Sequence, residues 1–277
     1  TARKDSLDWV VGPKTAGGFS KKVDVSWGSG RYNSAGQMVA LVYAKLFPND
    51  VVPEEAAYKD AGIAGLNTAS VIKDWAKSQS EYLLGNNPLK QSYMMGFGEN
   101  FASNAHHAAT HASIYGLCGK PEESKHIAWG ALVSGPNAGD DHSEDRCDYG
   151  AYEITIDYNG TFIGALAGNY AFNGAGQCPL QNFPPIEPPM DEYYTEGRIN
   201  VADQCKAQVE ITLVNETAHP PRYNTNLSVR YYLDVSELQA KGIDPKSIKA
   251  SIIYEGWPEQ PTTLSEIKPC SLNTSTW

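Results

Sequence analysis

The sequence lacks several features that define large classes of protein. None of its apolar runs approaches the roughly 20 residues that a bilayer-spanning helix needs, and the N-terminal segment TARKDSLDWVV has no apolar core of a signal peptide. Basic residues are in the minority, since 22 Lys and Arg face 32 Asp and Glu, and the net charge is −10. We therefore expect a soluble, processed or truncated chain with neither a membrane nor a nucleic acid as its partner.

Closely spaced cysteines and zinc-type histidine motifs are also missing. The five cysteines lie far apart without a CxxC spacing; of His106, His107 and His111 two are adjacent, and Ala108 follows His107 where HExxH has Glu. These spacings argue against a zinc cluster and against an HExxH site, so no metal ligands are predicted. One or two disulfides fit this set and leave at least one thiol over. Four glycosylation sequons favour a secreted, extracellular glycoprotein; they begin at Asn159, Asn215, Asn226 and Asn273.

Charged residues make up only 19% of the chain, whereas 41% is hydrophobic, and 25 Gly and 17 Pro indicate a folded protein rich in loops. Residues at helical spacing predict helices over residues 34–47, 67–84 and near 154–171. In the first two helices these residues are Met38, Leu41, Val42, Lys45 and Leu46, and Val71, Ile72, Trp75, Ser78, Gln79 and Tyr82. The segments between them are long and rich in Gly, Asn, Asp and His. Such ordered loops on a helical frame commonly carry binding groups.

The composition changes at Gln177. Residues 177–190 are rich in proline, which favours an extended linker over a helix or a central strand. Beyond the linker, the segments CKAQVEITLVNET, NLSVRYYLDVS and SIKASIIYEGW alternate apolar and polar residues and contain many β-branched and aromatic side chains. We therefore predict a helical domain followed by a small antiparallel β-sandwich.

An acidic cluster precedes the third predicted helix, with Arg146 and several tyrosines among its carboxylates. Crowded carboxylates beside aromatic rings disfavour ionisation and can keep one acid protonated at neutral pH. A solvated acidic loop or a calcium site explains the same composition. The cluster comprises Asp140, Asp141, Glu144, Asp145, Asp148 and Glu153.

Three sequence segments, taken in their order along the chain, indicate a specific protein family. SWGSGRY, YLLGNNPLKQSYMMGFGENFASNAHH and HIAWGALVSGPNAGDDHSEDRCDYGAYEITIDYNGTFIGALAG closely resemble the C-terminal part of the catalytic domain of family 9 glycoside hydrolases, which are mostly endoglucanases. The resemblance implies that residues 1–176 form the C-terminal part of an (α/α)6 barrel.

The segment after the linker, residues 191–277, looks like a partial family 3 carbohydrate-binding module that stops before its last strands. Tyr231 and Tyr232 alternate across one predicted strand, and the spacing of the module's other aromatics, including Tyr223, Tyr254 and Trp257, forces no alignment. We therefore predict that the module feeds a single glucan chain toward the catalytic cleft and does not anchor to crystalline cellulose.

The resemblance also assigns roles to individual residues. It makes Glu153 the general acid of an inverting β-1,4-glucanase, and it makes Trp27, Tyr32, His106 and Arg146 contacts of a cellulose or related β-glucan substrate. An inverting enzyme needs a second carboxylate that activates water. In this family that base belongs to the N-terminal half, which becomes an expected partner because this chain contains no matching segment. No cofactor is required, although family members commonly bind calcium.

The chain departs from the family pattern near the acid. The family's His-His-Arg is His106-His107-Ala108, the usual Asn before the acid is Tyr152, and Glu144 stands where Asp is usual. Two hypotheses follow. The first is a secreted endoglucanase of which this chain is a piece, and the second is a catalytically reduced relative that serves as a carbohydrate-binding or structural glycoprotein.

Overall fold

The computed structural model describes residues 2–21, 27–112, 118–119, 122–143, 145–203, 205–217, 222–224, 226–254 and 262–270. Three residues named above, Glu144, Trp257 and Asn273, lie outside these ranges. The chain divides into two compact units. One comprises Thr1–Tyr193 with Asn215–Arg222, and the other comprises Tyr194–Val214 with Tyr223–Trp277.

The first unit is helical. Its elements are α1 (Ala2–Val11), α2 (Ser29–Leu46), α3 (Ala56–Asp60), α4 (Thr68–Leu83), α5 (Ala108–His111), α6 (Tyr149–Tyr152) and α7 (Ile156–Asn173). Local sequence features determine where several of these helices begin and end. The Asn67 side chain accepts a hydrogen bond from the Ser70 amide at 2.8 Å and so caps the start of α4, and Gly85 with φ +112° follows its end.

The helix α2 is the centre of this unit, because it packs against α1, α4 and α7. Small residues allow the closest approach: a Cβ on Gly164 or Gly168 of α7 would lie 2.3 Å from Met38 Sδ or 2.8 Å from Leu41 Cδ1. A second cluster of buried residues lies under the long loops. It includes Tyr93, Leu132, Val133, Tyr152 and Phe162. The loops that carry the candidate site are therefore supported by a packed core.

The helices predicted over 34–47, 67–84 and 154–171 correspond to α2, α4 and α7, with α2 beginning five residues earlier. Two details of the α2 prediction differ. Val42 and Leu46 are 54% and 67% exposed, and beside Leu41, which is buried, the buried face carries Asn33, Gln37, Ala40 and Ala44. The helix buries polar side chains because they bond to one another: Gln37 Nε2 donates to Asn33 Oδ1 at 2.7 Å. No helix among the described residues is both long and apolar enough to cross a membrane.

The predicted linker belongs to the first unit. Glu187 Oε2 lies 2.8 Å from His126 Nδ1, and Glu187 Oε1 accepts the Ile127 amide at 3.2 Å. The Phe183 ring meets the Trp129 ring edge-on at a centroid distance of 5.9 Å. Phe183 and Glu187 therefore pack against the loop that carries His126 and Trp129 within the same unit, and the linker boundaries of 177–190 stay a prediction.

The predicted β-sandwich is represented by one hairpin. In the described part of the chain, the sheet consists of β1 (Tyr193–Ala202) and β2 (Ala207–Asn215), and a short helix α8 (Ser236–Ala240) follows. The strand predicted over 205–217 is β2, whereas the described residues of 226–236 and 247–257 form no strand. A strand needs a neighbour to receive its backbone hydrogen bonds. The sandwich itself stays a prediction.

Candidate active site

The backbone at Glu153 is held from two sides. Glu153 follows α6 directly and forms a parallel bridge with His106, in which the His106 amide donates to Tyr152 O at 2.8 Å. The fully buried Ser134 donates its amide to Ala151 O at 3.1 Å and its hydroxyl to Glu153 O at 3.4 Å. The loop that carries His106 and the loop that carries Glu153 therefore meet at one place.

The carboxyl group of Glu153 is half-buried and receives two hydrogen bonds on one oxygen. Trp27 Nε1 donates to Oε2 at 2.7 Å, and the Tyr158 hydroxyl donates to the same Oε2 at 3.1 Å. Burial raises the pKa of Tyr158 to about 12, so its phenol keeps its proton at neutral pH. The carboxyl group therefore has a fixed orientation in the free protein.

Aromatic rings and Arg31 surround the acid. The Arg31 guanidinium carbon lies 5.3 Å from the centre of the Trp27 ring, 4.6 Å from that of Tyr32 and 4.8 Å from that of Tyr158. The same guanidinium pairs with Asp157 at 2.8 Å. Trp27 and Tyr32 are 45% and 40% exposed, so both rings can contact a ligand. Cation–π contacts with Arg31 stabilise the positions of both rings.

The position of Gly28 brings this aromatic group close to the acid. Gly28 has φ +70°, and a Cβ placed there would lie 2.9 Å from the Tyr158 hydroxyl oxygen. Only glycine combines this left-handed backbone with such a close neighbour. The turn before α2 therefore holds Trp27 beside Glu153.

The imidazole of His106 has one nitrogen committed to the protein. Its Nδ1 lies 2.7 Å from Arg146 O, and a backbone carbonyl only accepts, so Nδ1 carries the hydrogen. In the neutral ring, Nε2 is then an acceptor for a hydroxyl group. The ring meets Tyr149 at a centroid distance of 6.2 Å, and Tyr149 meets Trp27 at 6.3 Å.

Arg146 lies beneath the site and not on its surface. It is 4% exposed, its Nη1 donates to Ser124 Oγ at 3.3 Å, and its Nε donates to Cys118 O. The neighbouring residue Cys147 forms a disulfide with Cys118. This arrangement favours a supporting role, and the predicted contact between Arg146 and substrate stays a prediction.

The carboxylates of the acidic cluster differ in burial. Asp140 is buried away from Glu153 and accepts hydrogen bonds from Tyr82 at 2.5 Å, from the Gly17 amide at 2.6 Å and from the Thr15 hydroxyl. Asp145 and Asp148 are exposed. Within the described ranges, no group of three or more His, Cys, Asp or Glu side chains is placed to hold a metal ion.

The structure brings together four of the five predicted site residues, Glu153, Trp27, Tyr32 and His106, and places the fifth, Arg146, under them. Sequence reasoning missed Tyr158 and Arg31 as members of the site. Their short separations from predicted site residues carry a signal: Tyr158, the third residue of α7, lies five residues after Glu153, and Arg31 lies four residues after Trp27.

A helical fold with a half-buried carboxyl beside exposed aromatic rings is compatible with a glycoside hydrolase. The model of glycosyl hydrolase family 9 matches residues 3–166, and the chain belongs to this family. The resemblance that the three segments indicated is thereby confirmed. The endoglucanases that resemble it in structure have the (α/α)6 barrel predicted above.

Individual relatives support the assignment to this family. Endoglucanase A of Bacillus pumilus is 36% identical over 228 residues, which are 82% of this chain and 32% of that protein. Endoglucanase 4 of Bacillus sp. (strain KSM-522) is 34% identical and shares 86% of this chain and 34% of its own length. The crystal structure of endoglucanase CelQ from Clostridium thermocellum complexed with cellotetraose matches with a TM-score of 0.67 and 33% identity, covering 87% of this chain and 37% of that one. The chain thus spans about a third of the length of these relatives.

Proposed function

We propose that the protein hydrolyses β-1,4-glucosidic bonds in cellulose or a related β-glucan with inversion, and that Glu153 is the general acid. The observation that carries the proposal is the half-buried carboxyl of Glu153, oriented by Trp27 and Tyr158 beside exposed aromatic rings. The relatives named endoglucanase, and the CelQ structure complexed with cellotetraose, support a glucan substrate.

In this mechanism, Glu153 gives its proton to the glycosidic oxygen as the bond to the anomeric carbon breaks. Water adds to the opposite face of the sugar and loses a proton to a carboxylate base. The two carboxyl groups of inverting glycosidases lie roughly 6.5 to 9.5 Å apart, which leaves room for that water. The base is proposed to come from the part of the family 9 domain that this chain does not contain.

Three residues are proposed to hold the sugar. Trp27 and Tyr32 offer exposed rings for stacking on pyranose faces. His106 offers Nε2 as an acceptor for a sugar hydroxyl, because its Nδ1 is held by Arg146 O. These contacts surround the Glu153 carboxyl and would place the scissile bond beside it.

The remainder of a family 9 catalytic domain is the proposed partner of the first unit. Apolar side chains of α2 and α7 that are 42% to 93% exposed support this, since a soluble domain rarely leaves so many uncovered. They are Val39, Val42, Leu46, Ile156, Ile163 and Tyr170.

The C-terminal segment is proposed to be a partial family 3 carbohydrate-binding module that guides a single glucan chain. Its alternating sequence and the β1–β2 hairpin support this assignment. Secretion, glycosylation and calcium binding by the complete enzyme remain part of the same proposal. They rest on the sequons and on the family resemblance.

A second function, that of a catalytically reduced glucan-binding glycoprotein, is favoured by one observation. Ala108 stands in an exposed position where the family has an arginine, so a cation that could bind sugar hydroxyls is missing. Under this alternative the same site binds oligosaccharide without cleaving it.

Hydrolysis of carboxymethylcellulose and mixed-linkage glucan by the purified natural protein separates the two functions. The proposal predicts release of reducing ends, and proton NMR of cellotetraose cleavage should show the α-anomer first. Binding of cellotetraose without cleavage would support the second function, and a β-anomer formed first would overturn inversion.

A further inference from the structure

We infer that Trp27 is a positioning residue for the general acid: its indole N–H fixes Glu153 so that the catalytic proton lies on Oε1, and it stabilises the carboxylate that forms when the proton leaves. The inference rests on the proposed function and goes beyond it, since a stacking role for Trp27 needs only the face of the ring.

The two oxygens of the Glu153 carboxyl differ in their hydrogen bonds. Within the part of the chain that the structure describes, both hydrogen bonds to this carboxyl fall on Oε2, from Trp27 Nε1 at 2.7 Å and from the Tyr158 hydroxyl at 3.1 Å, and none falls on Oε1. An indole N–H can only donate. In a protonated carboxyl, the oxygen without hydrogen is the better acceptor, so two donors on Oε2 place the acidic hydrogen on Oε1.

Negative charge develops on Glu153 during the reaction. The glycosidic oxygen takes the proton from Oε1 and keeps the electron pair of the breaking C–O bond, while water adds to the anomeric carbon and releases its proton to the base on the missing part of the domain. Glu153 becomes a carboxylate, and the negative charge spreads to Oε2. Hydrogen bonds to an ionised acceptor are roughly twice as strong as neutral ones, so the Trp27 bond strengthens as the reaction proceeds.

Neighbouring side chains hold the Trp27 N–H donor in place. The Trp27 ring lies against Arg31, whose guanidinium carbon is 5.3 Å from the ring centre, and against the edge of Tyr149 at 6.3 Å. Arg31 is itself fixed by Asp157 at 2.8 Å. A donor that is held before the substrate arrives does not have to be ordered during the reaction.

The experiment compares two substrates in protein that carries the complete catalytic domain. Cellotetraose has a poor leaving group and needs the acid, whereas dinitrophenyl β-cellobioside has a leaving group that departs without protonation. We expect Trp27→Phe, which keeps a ring but removes the N–H, to lower kcat on cellotetraose by roughly 10- to 100-fold and to change kcat on the dinitrophenyl substrate by less than about threefold. The matched control is Tyr32→Phe, whose lost hydroxyl does not touch Glu153 and whose effect should be equal on both substrates.

Glu153→Gln in the same assay separates failure of the inference from failure of the proposed function. If Glu153→Gln loses activity equally on both substrates, Glu153 is not the acid and the proposed function fails. If Glu153→Gln is selective for cellotetraose but Trp27→Phe lowers both activities equally, Trp27 only binds substrate and the inference is overturned.

Replacement of Trp27 by benzothienylalanine separates the loss of the N–H from a change in packing. This residue keeps the shape of the ring system and lacks only the N–H. It should reproduce the selectivity of Trp27→Phe with an unchanged thermal midpoint. Activity equal to that of the natural protein on both substrates would contradict the inference.

Discussion

Tyr82 donates its hydroxyl hydrogen to Asp140 Oδ1 at 2.5 Å, across 58 residues of sequence. The bond joins α4 to the loop that leads into the candidate site, and the Thr15 hydroxyl and the Gly17 amide bond to the same carboxylate. Burial alone would raise the pKa of Asp140, but these hydrogen bonds outweigh it and hold the pKa below the ordinary value of 3.8. The ionised carboxylate therefore stabilises the folded state.

The first prediction is that Asp140→Asn destabilises the fold by about 1–3 kcal/mol at pH 7, because the new amide hydrogens would face the Gly17 N–H. Asn tolerates the left-handed backbone of this position, so the substitution tests the charge and not the turn. The folded-state pKa of Asp140 is lowered, so its carboxylate stabilises the folded protein at pH values above the unfolded-state pKa of about 3.9. This stabilisation is lost as the pH falls through the folded-state pKa.

Urea unfolding across pH checks this prediction. The difference between Asp140→Asn and the natural chain should shrink as the pH falls below about 4. The exposed Asp60→Asn serves as the control and should leave the midpoint nearly unchanged. A difference in unfolding free energy that grows toward low pH would contradict the stabilisation of the folded state by ionised Asp140.

The second prediction compares two glycines with almost the same backbone. Gly28 and Gly62 have φ +70° and +69°, but a Cβ on Gly28 would meet Tyr158, whereas nothing lies within 4 Å of one on Gly62. Gly62→Ala should cost about 1 kcal/mol from the left-handed backbone alone. Gly28→Ala should cost about 1–3 kcal/mol more, because Tyr158 must shift. Equal unfolding free energies for the two variants would contradict the close approach at the site.

The third prediction concerns the disulfide between Cys118 and Cys147. It closes a loop with a sequence separation of 29, for which chain entropy predicts about 3.6 kcal/mol of stabilisation. Cys147→Ser should lower the thermal midpoint and should weaken cello-oligosaccharide binding, because Arg146 O holds His106. The exposed free thiol of Cys178 provides the control, and Cys178→Ser should change neither property. Identical thermal midpoints for Cys147→Ser and Cys178→Ser would show that the disulfide does not stabilise the fold.

Helical periodicity and local motifs predicted much of the fold of the first unit. The spacing of the residues in α4 predicted most of its buried face: four of the six are buried, whereas Val71 is half-buried and Ser78 is exposed. The buried four are Ile72, Trp75, Gln79 and Tyr82. The prediction for α2 was less accurate because its buried face includes Asn33 and Gln37, which periodicity of apolar residues does not detect. Alternation predicted β2 but also strands over 226–236 and 247–257, since a sequence pattern does not show whether a hydrogen-bonding partner is present.

The resemblance to family 9 predicted Glu153, Trp27, Tyr32 and His106 in the site, and the structure brings them together. It could not indicate that Asp140 bonds to Tyr82, because that contact joins distant segments. It also could not indicate that Trp27 and Tyr158 share one oxygen of Glu153 or that Arg146 is buried. Such relationships depend on the packing of α2, α7 and the loops between them, and sequence spacing does not contain that information.

The most direct test of Glu153 as the general acid is the turnover of Glu153→Gln in protein with the complete catalytic domain. Glutamine keeps the size of the side chain and its carbonyl acceptor for Trp27 and Tyr158, but it has no acidic proton. We predict that kcat on carboxymethylcellulose falls by roughly 10² to 10⁴, while the dissociation constant for cellotetraose changes little. Retention of more than about a tenth of the activity would contradict the assignment of Glu153.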